Sequence, residues 1–364
     1  AVHDSAFRIE DGKNGLHGPD PGVVGTTRGL EQGDYIMSRN TLQLEGSWTP
    51  QDNLSVTAVW RGAYEASLQI SSELEQNVID AGAEHRIDSY EYDSDLREIY
   101  VDFAWGDWAM RAGKQQIVWG EVMGNRMSDI INPLDYSWNY IFSDWEDLRI
   151  PLWGVNIAHR FSASHVLELV WLPGAIDNGF EPTKFGTAGT QWGPAGFGQL
   201  FLDAIRASVP ENDIRNSEFG ARLKAMVGSW DTSLFWLRSR NDNPMFDQDW
   251  LAKLLAGRMD FFNYPFNNKF GGTFNVYNQK LDTVFAGECV YTVDEPYIPL
   301  DIFAHGHVKF ESDSFAFFLG ATKLQWVPFI NTRNKVTIAV QFMQKFILDY
   351  DDRMSTYDMA QDDS

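Results

Sequence analysis

Leu96-Arg97-Glu98-Ile99-Tyr100-Val101-Asp102-Phe103-Ala104-Trp105-Gly106-Asp107-Trp108-Ala109-Met110-Arg111-Ala112-Gly113-Lys114-Gln115-Gln116-Ile117-Val118-Trp119-Gly120-Glu121 is the stretch on which the fold turns. Ile99, Val101, Phe103 and Trp105 alternate with Glu98, Tyr100, Asp102 and Ala104. That period of two gives a strand one apolar and one polar face. Gly106-Asp107 makes a tight turn, and a second strand returns from Trp108. The stretch predicts a hairpin with a tryptophan on each side of its turn.

The pattern recurs on both sides of the hairpin. Leu42, Leu44, Gly46 and Trp48 alternate with Gln43, Glu45 and Ser47; beyond Thr49-Pro50-Gln51-Asp52, Leu54, Val56, Ala58 and Trp60 alternate with Ser55, Thr57 and Arg61. Further pairs flank Ser162-Ala163-Ser164, Gly228-Ser229 and Glu311-Ser312-Asp313, and residues 270–277, 283–293 and 336–347 add strands to a total of about thirteen. Long excursions separate the pairs at residues 67–94, 121–150, 173–216 and 241–268, with one helix-like piece at 199–208. Short and long connections alternate along the chain. Transmembrane antiparallel up-and-down β-barrels have this asymmetry, with short periplasmic turns and long outer loops, and strands of about 9–11 residues. The expected fold is all-β: a single barrel over residues 1–364, with 1–35 as an N-terminal extension and loops 120–150 and 173–216 as candidates for a plug or constriction. No repeat of 20–50 residues supports a propeller or solenoid.

Composition narrows the function classes. A net charge of −22 leaves nothing to neutralise a nucleic-acid backbone. Hydrophobic residues make up 44% of the chain, yet no apolar run reaches the roughly 18 residues of a membrane helix; the best candidate, 315–330, is interrupted by Gly320, Lys323 and Pro328. The aromatic share of 14%, with 14 tryptophans, fits interfacial girdles. Cys289 stands alone, so no intrachain disulfide forms and a packed thiol is expected. Ala1-Val2-His3-Asp4 opens without a charged-then-apolar leader, so a signal peptide was either removed or never present. There is no Gly-x-Ser-x-Gly, His-Glu-x-x-His or phosphate loop, so no enzyme and no cofactor is expected.

Leu96-Arg97-Glu98, Gly106-Asp107-Trp108, Gly113-Lys114-Gln115-Gln116-Ile117-Val118-Trp119-Gly120-Glu121 and Asp129-Ile130-Ile131-Asn132-Pro133-Leu134-Asp135 resemble a porin-like family of Gram-negative outer-membrane β-barrels known only as a domain of unknown function. Asp294-Glu295-Pro296-Tyr297, Asn331, Arg333-Asn334 and Gln341-Phe342 extend the likeness, which spans about residues 40 to 350. The pairing of Gly-Lys-Gln-Gln with Asn-Pro-Leu-Asp is its specific part. The resemblance implies outer-membrane location, contact with outer-membrane lipid and lipopolysaccharide, and a genomic neighbourhood of resistance-nodulation-division exporters and a lipoprotein-sorting-like protein. Complete barrels of this kind carry an even number of strands, 14–16 or more here, and finish on a terminal aromatic. This chain finishes Met359-Ala360-Gln361-Asp362-Asp363-Ser364, so closing strands in a further C-terminal portion are expected; a native mass equal to these 364 residues would contradict that.

Arg111 and Lys114 on the hairpin, beside Gln115, are the first candidate pore-lining residues. Strict alternation points Lys114 at lipid, where a charge at the midplane costs about 2–4 kcal/mol, so a bulge near Gly113 is expected to turn it inward. Glu98 and Asp102 face the same lumen, and Arg61, Arg160, Glu168, Arg222 and Lys224 join them. This set is either a strip of opposed charges at a constriction or a structural ladder that fills the barrel. Glu121, Asp129, Asn132 and Asp135 lie in a segment too polar for a strand, either folded inward as a constriction or plug or packed as an ordinary outer loop. His305 and His307 share one strand face and are a weak metal pair without a third ligand. Glu73, Glu75, Asp80, Glu84, Asp88, Glu91 and Asp93, against Arg86 alone, form a solvated acidic run with the option of bridging cations to lipopolysaccharide. The leading function is passage of small or amphiphilic solutes. A sleeve for a partner such as a multihaem cytochrome is a second class, the haem being the partner's because Cys-x-x-Cys-His is absent. A surface receptor or adhesion barrel is a third, and a periplasmic lipoprotein or exporter is a further candidate partner.

Overall fold

The computed structural model describes residues 2–7, 35–120, 126–137, 145–176, 180–190, 199–299, 310–329, 332–351 and 354–355. Thirteen antiparallel strands form one meander: β1 (Val2–Phe7), β2 (Tyr35–Gln51), β3 (Leu54–Glu65), β4 (Tyr92–Trp105), β5 (Trp108–Gln115), β6 (Leu152–Ser162), β7 (His165–Leu172), β8 (Glu218–Val227), β9 (Trp230–Arg240), β10 (Phe266–Asn278), β11 (Thr283–Pro299), β12 (Phe310–Gln325) and β13 (Val336–Ile347). Each pairs with its neighbours in sequence, and Met354–Ser355 adds a short ladder on β11. Short helices lie in the connections, among them α1 (Ser72–Asp80), α2 (Trp145–Leu148), α3 (Gln199–Ala207) and α4 (Trp250–Leu255).

Side chains separate the two faces. Along β7, Glu168, Val170 and Leu172 are 7%, 3% and 1% exposed, while the intervening Leu167, Leu169 and Trp171 are 37%, 45% and 39% exposed. The exposed face is the apolar one. Leu42, Leu44 and Trp48 on β2, Leu223 on β8, Leu234 on β9, Phe270 on β10, Leu319 on β12 and Val340 and Phe342 on β13 continue it. A water-soluble sheet does not present a belt this extensive; a wall that faces lipid must. Among the described residues no helix is long and apolar enough to cross a membrane.

The opposite face curls around one core. Leu152 of β6, Val170 and Leu172 of β7, Phe235 and Leu237 of β9, Val290 of β11 and Phe318 of β12 converge on Ile117, Trp119, Met127 and Ile131 from the β5–β6 connection. The long connections assemble at one end. Leu74 and Val78 of α1, Leu202 and Ile205 of α3, Trp250 of α4, and Phe261 and Phe262 make a second core that caps the rim. Arg86 and His85 reach from the β3–β4 connection to Asp203 on α3. Among the described residues the sheet is an open curl, with the outer edges of β1, of β13 and of the turn-end half of β2 unpaired.

Several expectations need correction. Glu311-Ser312-Asp313 is not a turn: it runs inside β12, and Glu311 and Ser312 pair with Pro296 and Glu295. The strand before it, with His305 and His307, lies outside the described residues. The N-terminal extension contributes β1, which pairs with β2 from Thr41 to Tyr35, so the total of thirteen is reached with a different set of strands. No register shift occurs at Gly113. The bulge is on β4, where Val59 pairs with Glu98 but Trp60 pairs with Leu96, and Arg97 is the extra residue.

Candidate functional site

The inward face divides into a sealed wall and a polar wall. On the sealed side Arg222 of β8 stands opposite Glu168 of β7 and donates through Nε and Nη2 at 2.9 and 2.6 Å. Trp119 Nε1 and Asn156 Nδ2 donate to the same carboxylate at 3.2 and 2.8 Å. Four donors satisfy this one buried carboxylate, whose burial without partners would cost several kcal/mol. Trp119 is fully buried and its ring abuts Gly220, where an added Cβ would meet its Cη2 at 2.6 Å. Glycine at 220 is what lets the ring lie against the wall.

Trp119 belongs to the segment that follows β5, and this segment is folded inward. Asn132 is fully buried and acts as its clasp: Oδ1 accepts the Ile117 N–H at 2.8 Å and Nδ2 donates to the Ile150 carbonyl at 2.8 Å. Asp129 accepts from Arg149 and Arg126 at 2.7 and 3.1 Å, and Arg126 also donates to the Asn132 carbonyl at 2.6 Å. The Ser128 N–H donates to Glu288 on β11 at 2.9 Å, which ties the segment to the far wall. Asp135 closes the segment with a backbone bridge to Lys184. The segment packs through Ile117, Trp119, Met127 and Ile131 against the inward face of the sheet. Glu121 lies outside the described residues.

The polar wall is built by β2 to β5. Asp102 and Arg111 stand opposite each other, joined at 2.7 and 3.0 Å, with the guanidinium over Tyr100 at 4.0 Å. Arg61 bonds Gln43 across β2 at 2.9 and 2.6 Å and pairs with Asp147 of α2. The bulge aims Arg97 at the same helix turn, and it donates to the carbonyls of Glu146, Asp147 and Arg149 at 2.9, 3.3 and 3.1 Å. Gln116 donates to Glu98 at 3.4 Å and to the Glu146 carbonyl at 3.0 Å. Lys114 stands opposite Ile99 in the ladder, yet its Nζ reaches Asp95 at 3.0 and 3.1 Å and the Leu96 carbonyl at 2.9 Å. Gly113 beside it takes a φ of 140°, open to glycine. Gln115 is buried and donates to the Gly154 carbonyl at 3.0 Å, which makes it a strut.

The structure therefore separates residues that the sequence grouped. Arg61, Glu98, Asp102, Arg111 and Lys114 form the polar wall; Glu168 and Arg222 belong to the sealed one. Arg160 and Lys224 share the inward face at the turn end, both opposite Val166. Arg97, Trp119, Arg126, Asp147, Arg149 and Glu288 escaped the sequence reading. The signal for Trp119 was present, because Ile117 and Trp119 carry the alternation of β5 past its last paired residue. Among the described residues no group of three or more histidine, cysteine or acidic side chains is set to hold a metal.

A family model described as "Protein of unknown function (DUF1302)" matches residues 23–357. No curated protein matches the chain. Among solved structures, Salmonella typhi OmpF in complex with daunomycin is 10% identical over 89% of this chain and 75% of its own, with a TM-score of 0.44. An anion-selective porin from Comamonas acidovorans is 10% identical over 89% and 77%, with a TM-score of 0.38. Pseudomonas aeruginosa OpdK with vanillate is 9% identical over 79% and 72%, with a TM-score of 0.32. At these values the likeness carries no conclusion about what this chain passes or binds.

Proposed function

The chain belongs to the DUF1302 family, and from that premise we propose that it is an outer-membrane barrel passing small solutes along the polar wall of β2 to β5, beneath an inward-folded segment that narrows the lumen. One contrast carries the proposal. Two ladder ion pairs of the same kind sit in opposite states: the side chains of Arg222 and Glu168 are 8% and 9% exposed, whereas those of Arg111 and Asp102 are 39% and 37% exposed. A wall built only to fill a core would bury both. An accessible strip of opposed charges on one side, with a packed apolar wall on the other, supports a restricted polar path whose selectivity is set by fixed charge. The apolar belt on the other face supports the membrane setting. The activity is selection, with no covalent step.

Ion selectivity in a planar bilayer tests it. Purified protein is expected to give stable open steps, and Arg61→Gln or Arg111→Gln is expected to shift the reversal potential towards cation preference. Correctly folded protein that stays silent, or selectivity indifferent to both substitutions, would refute it.

A further inference from the structure

On the lipid-facing wall we infer a binding site for a lipid phosphate, centred on Arg238 of β9 with Asn268 of β10. The inference rests on the membrane reading above and adds a ligand to a surface that reading leaves anonymous.

Pairing fixes the position. Phe219, Arg238, Asn268 and Val293 stand opposite one another across β8, β9, β10 and β11, on the face that carries Phe270 and Leu234. The row two residues nearer the turns is Ala221, Trp236, Phe270 and Tyr291, and the next is Leu223, Leu234, Gly272 and Cys289. Arg238 is thus a cation at the loop-end margin of an apolar wall. Eight residues separate it from Trp230 at the turn end of β9. At about 3.4 Å per residue and a strand tilt of about 40°, that is roughly 20 Å of height, near the upper limit of the apolar band.

The local chemistry asks for an anion. The Arg238 guanidinium lies over the Phe266 ring at 4.1 Å, and that of Arg240 lies over the same ring at 4.2 Å. Arg240 is occupied, donating to the Tyr264 carbonyl at 2.5 Å and to Asn216 at 2.5 Å. Arg238 has no ion pair to a carboxylate among the described residues. Asn268 accepts from Trp236 Nε1 through Oδ1 at 3.1 Å, which turns its amide NH2 away from that bond. Two cations share one ring on a chain of net charge −22: Arg240 has both terminal nitrogens bonded, whereas the fork of Arg238 has no hydrogen-bond partner among the described residues and lies beside an amide donor. A guanidinium fork and an amide at a membrane margin match the oxygens of a phosphate monoester or diester. The loop-end leaflet is the outer one in this setting, so the phosphate is that of lipid A.

The test measures binding of lipid A to the purified full chain in detergent, by native mass spectrometry and by the shift in unfolding temperature. Dephosphorylated lipid A and phosphatidylglycerol serve as comparison lipids, and insertion of the same preparation into liposomes is followed in parallel. Lipid A is expected to bind, with Arg238→Gln weakening it about tenfold or more, Asn268→Leu weakening it less, and Arg111→Gln on the inward face leaving it unchanged. Removal of the phosphates should abolish the difference between wild type and Arg238→Gln. Protein that inserts normally but binds lipid A equally with and without Arg238, or without regard to phosphate, overturns the site and leaves the membrane reading standing. Stronger dependence of phosphatidylglycerol on Arg238 overturns the assignment to lipid A. Failure of wild-type protein to insert overturns both.

Discussion

Glu168 shows how much rests on one carboxylate. It receives Arg222, Trp119 and Asn156 in a dry environment, so Glu168→Ala strands a buried guanidinium and is expected to lower stability by about 3–5 kcal/mol in urea titration. Glu168→Leu combined with Arg222→Met is expected to recover most of that loss, because an apolar pair of similar volume removes both charges. Asp242, just beyond β9, makes a pH prediction. Burial, opposed by Lys269 and Arg126, raises its carboxyl to about 7. A folded-state value above the unfolded one means the native state holds the extra proton, so stability falls as pH rises from about 4 towards 7 and then levels. Asp242→Asn is expected to be neutral near pH 4 and stabilising by a few kcal/mol, on the order of three pKa units, at pH 8. Equal pH profiles for the two proteins would remove Asp242 from that role.

Strands were legible in this sequence because alternation is local: Leu167, Leu169 and Trp171 declare their face without reference to anything distant. The bulge was not legible at its true place. A proline-free, glycine-poor run such as Leu96-Arg97-Glu98 carries no mark of an extra residue, and the sequence logic that feared a lipid-facing Lys114 moved the bulge to Gly113. The structure meets the same need differently, since Lys114 reaches Asp95 by its length and by the freedom of Gly113. The turn misassigned at Glu311-Ser312-Asp313 has the composition of a hairpin tip, but cross-strand partners on β11 hold it extended. The inward packing of residues 117–120 and 126–137 was undecidable from sequence, because its decisive contacts, Ser128 with Glu288 and Asn132 with Ile150, join distant positions. Asn132→Leu removes the clasp and leaves the Ile117 N–H and Ile150 carbonyl unpaired. It is expected to raise single-channel conductance while strand content by circular dichroism stays unchanged. A fall in strand content would mean that the segment is part of the scaffold.

At the scale of the whole molecule, segregated connections give the wall two unlike ends. The turn end is spare, whereas the loop end is closed by α1, α3 and α4 around a shared core, tied by Arg86 to Asp203. Burial alone would raise the Asp203 carboxyl, but the bonds from Arg86 and Gln199 and the charges of Arg86 and His85 hold it below its ordinary value. On the proposed path, a solute entering at the loop end would meet the cap first, then the inward segment, and would reach the turn end along β2 to β5. The central claim is that this segment is what restricts the lumen. It is tested most directly by conductance with the segment reversibly held, using Ser128→Cys and Glu288→Cys in a Cys289→Ala background, joined by a short reducible bis-thiosulfonate. Cross-linked protein is expected to conduct little and reduced protein to show larger stable steps, restored to the low level on re-linking. Equal conductance in the linked and reduced states would contradict the account.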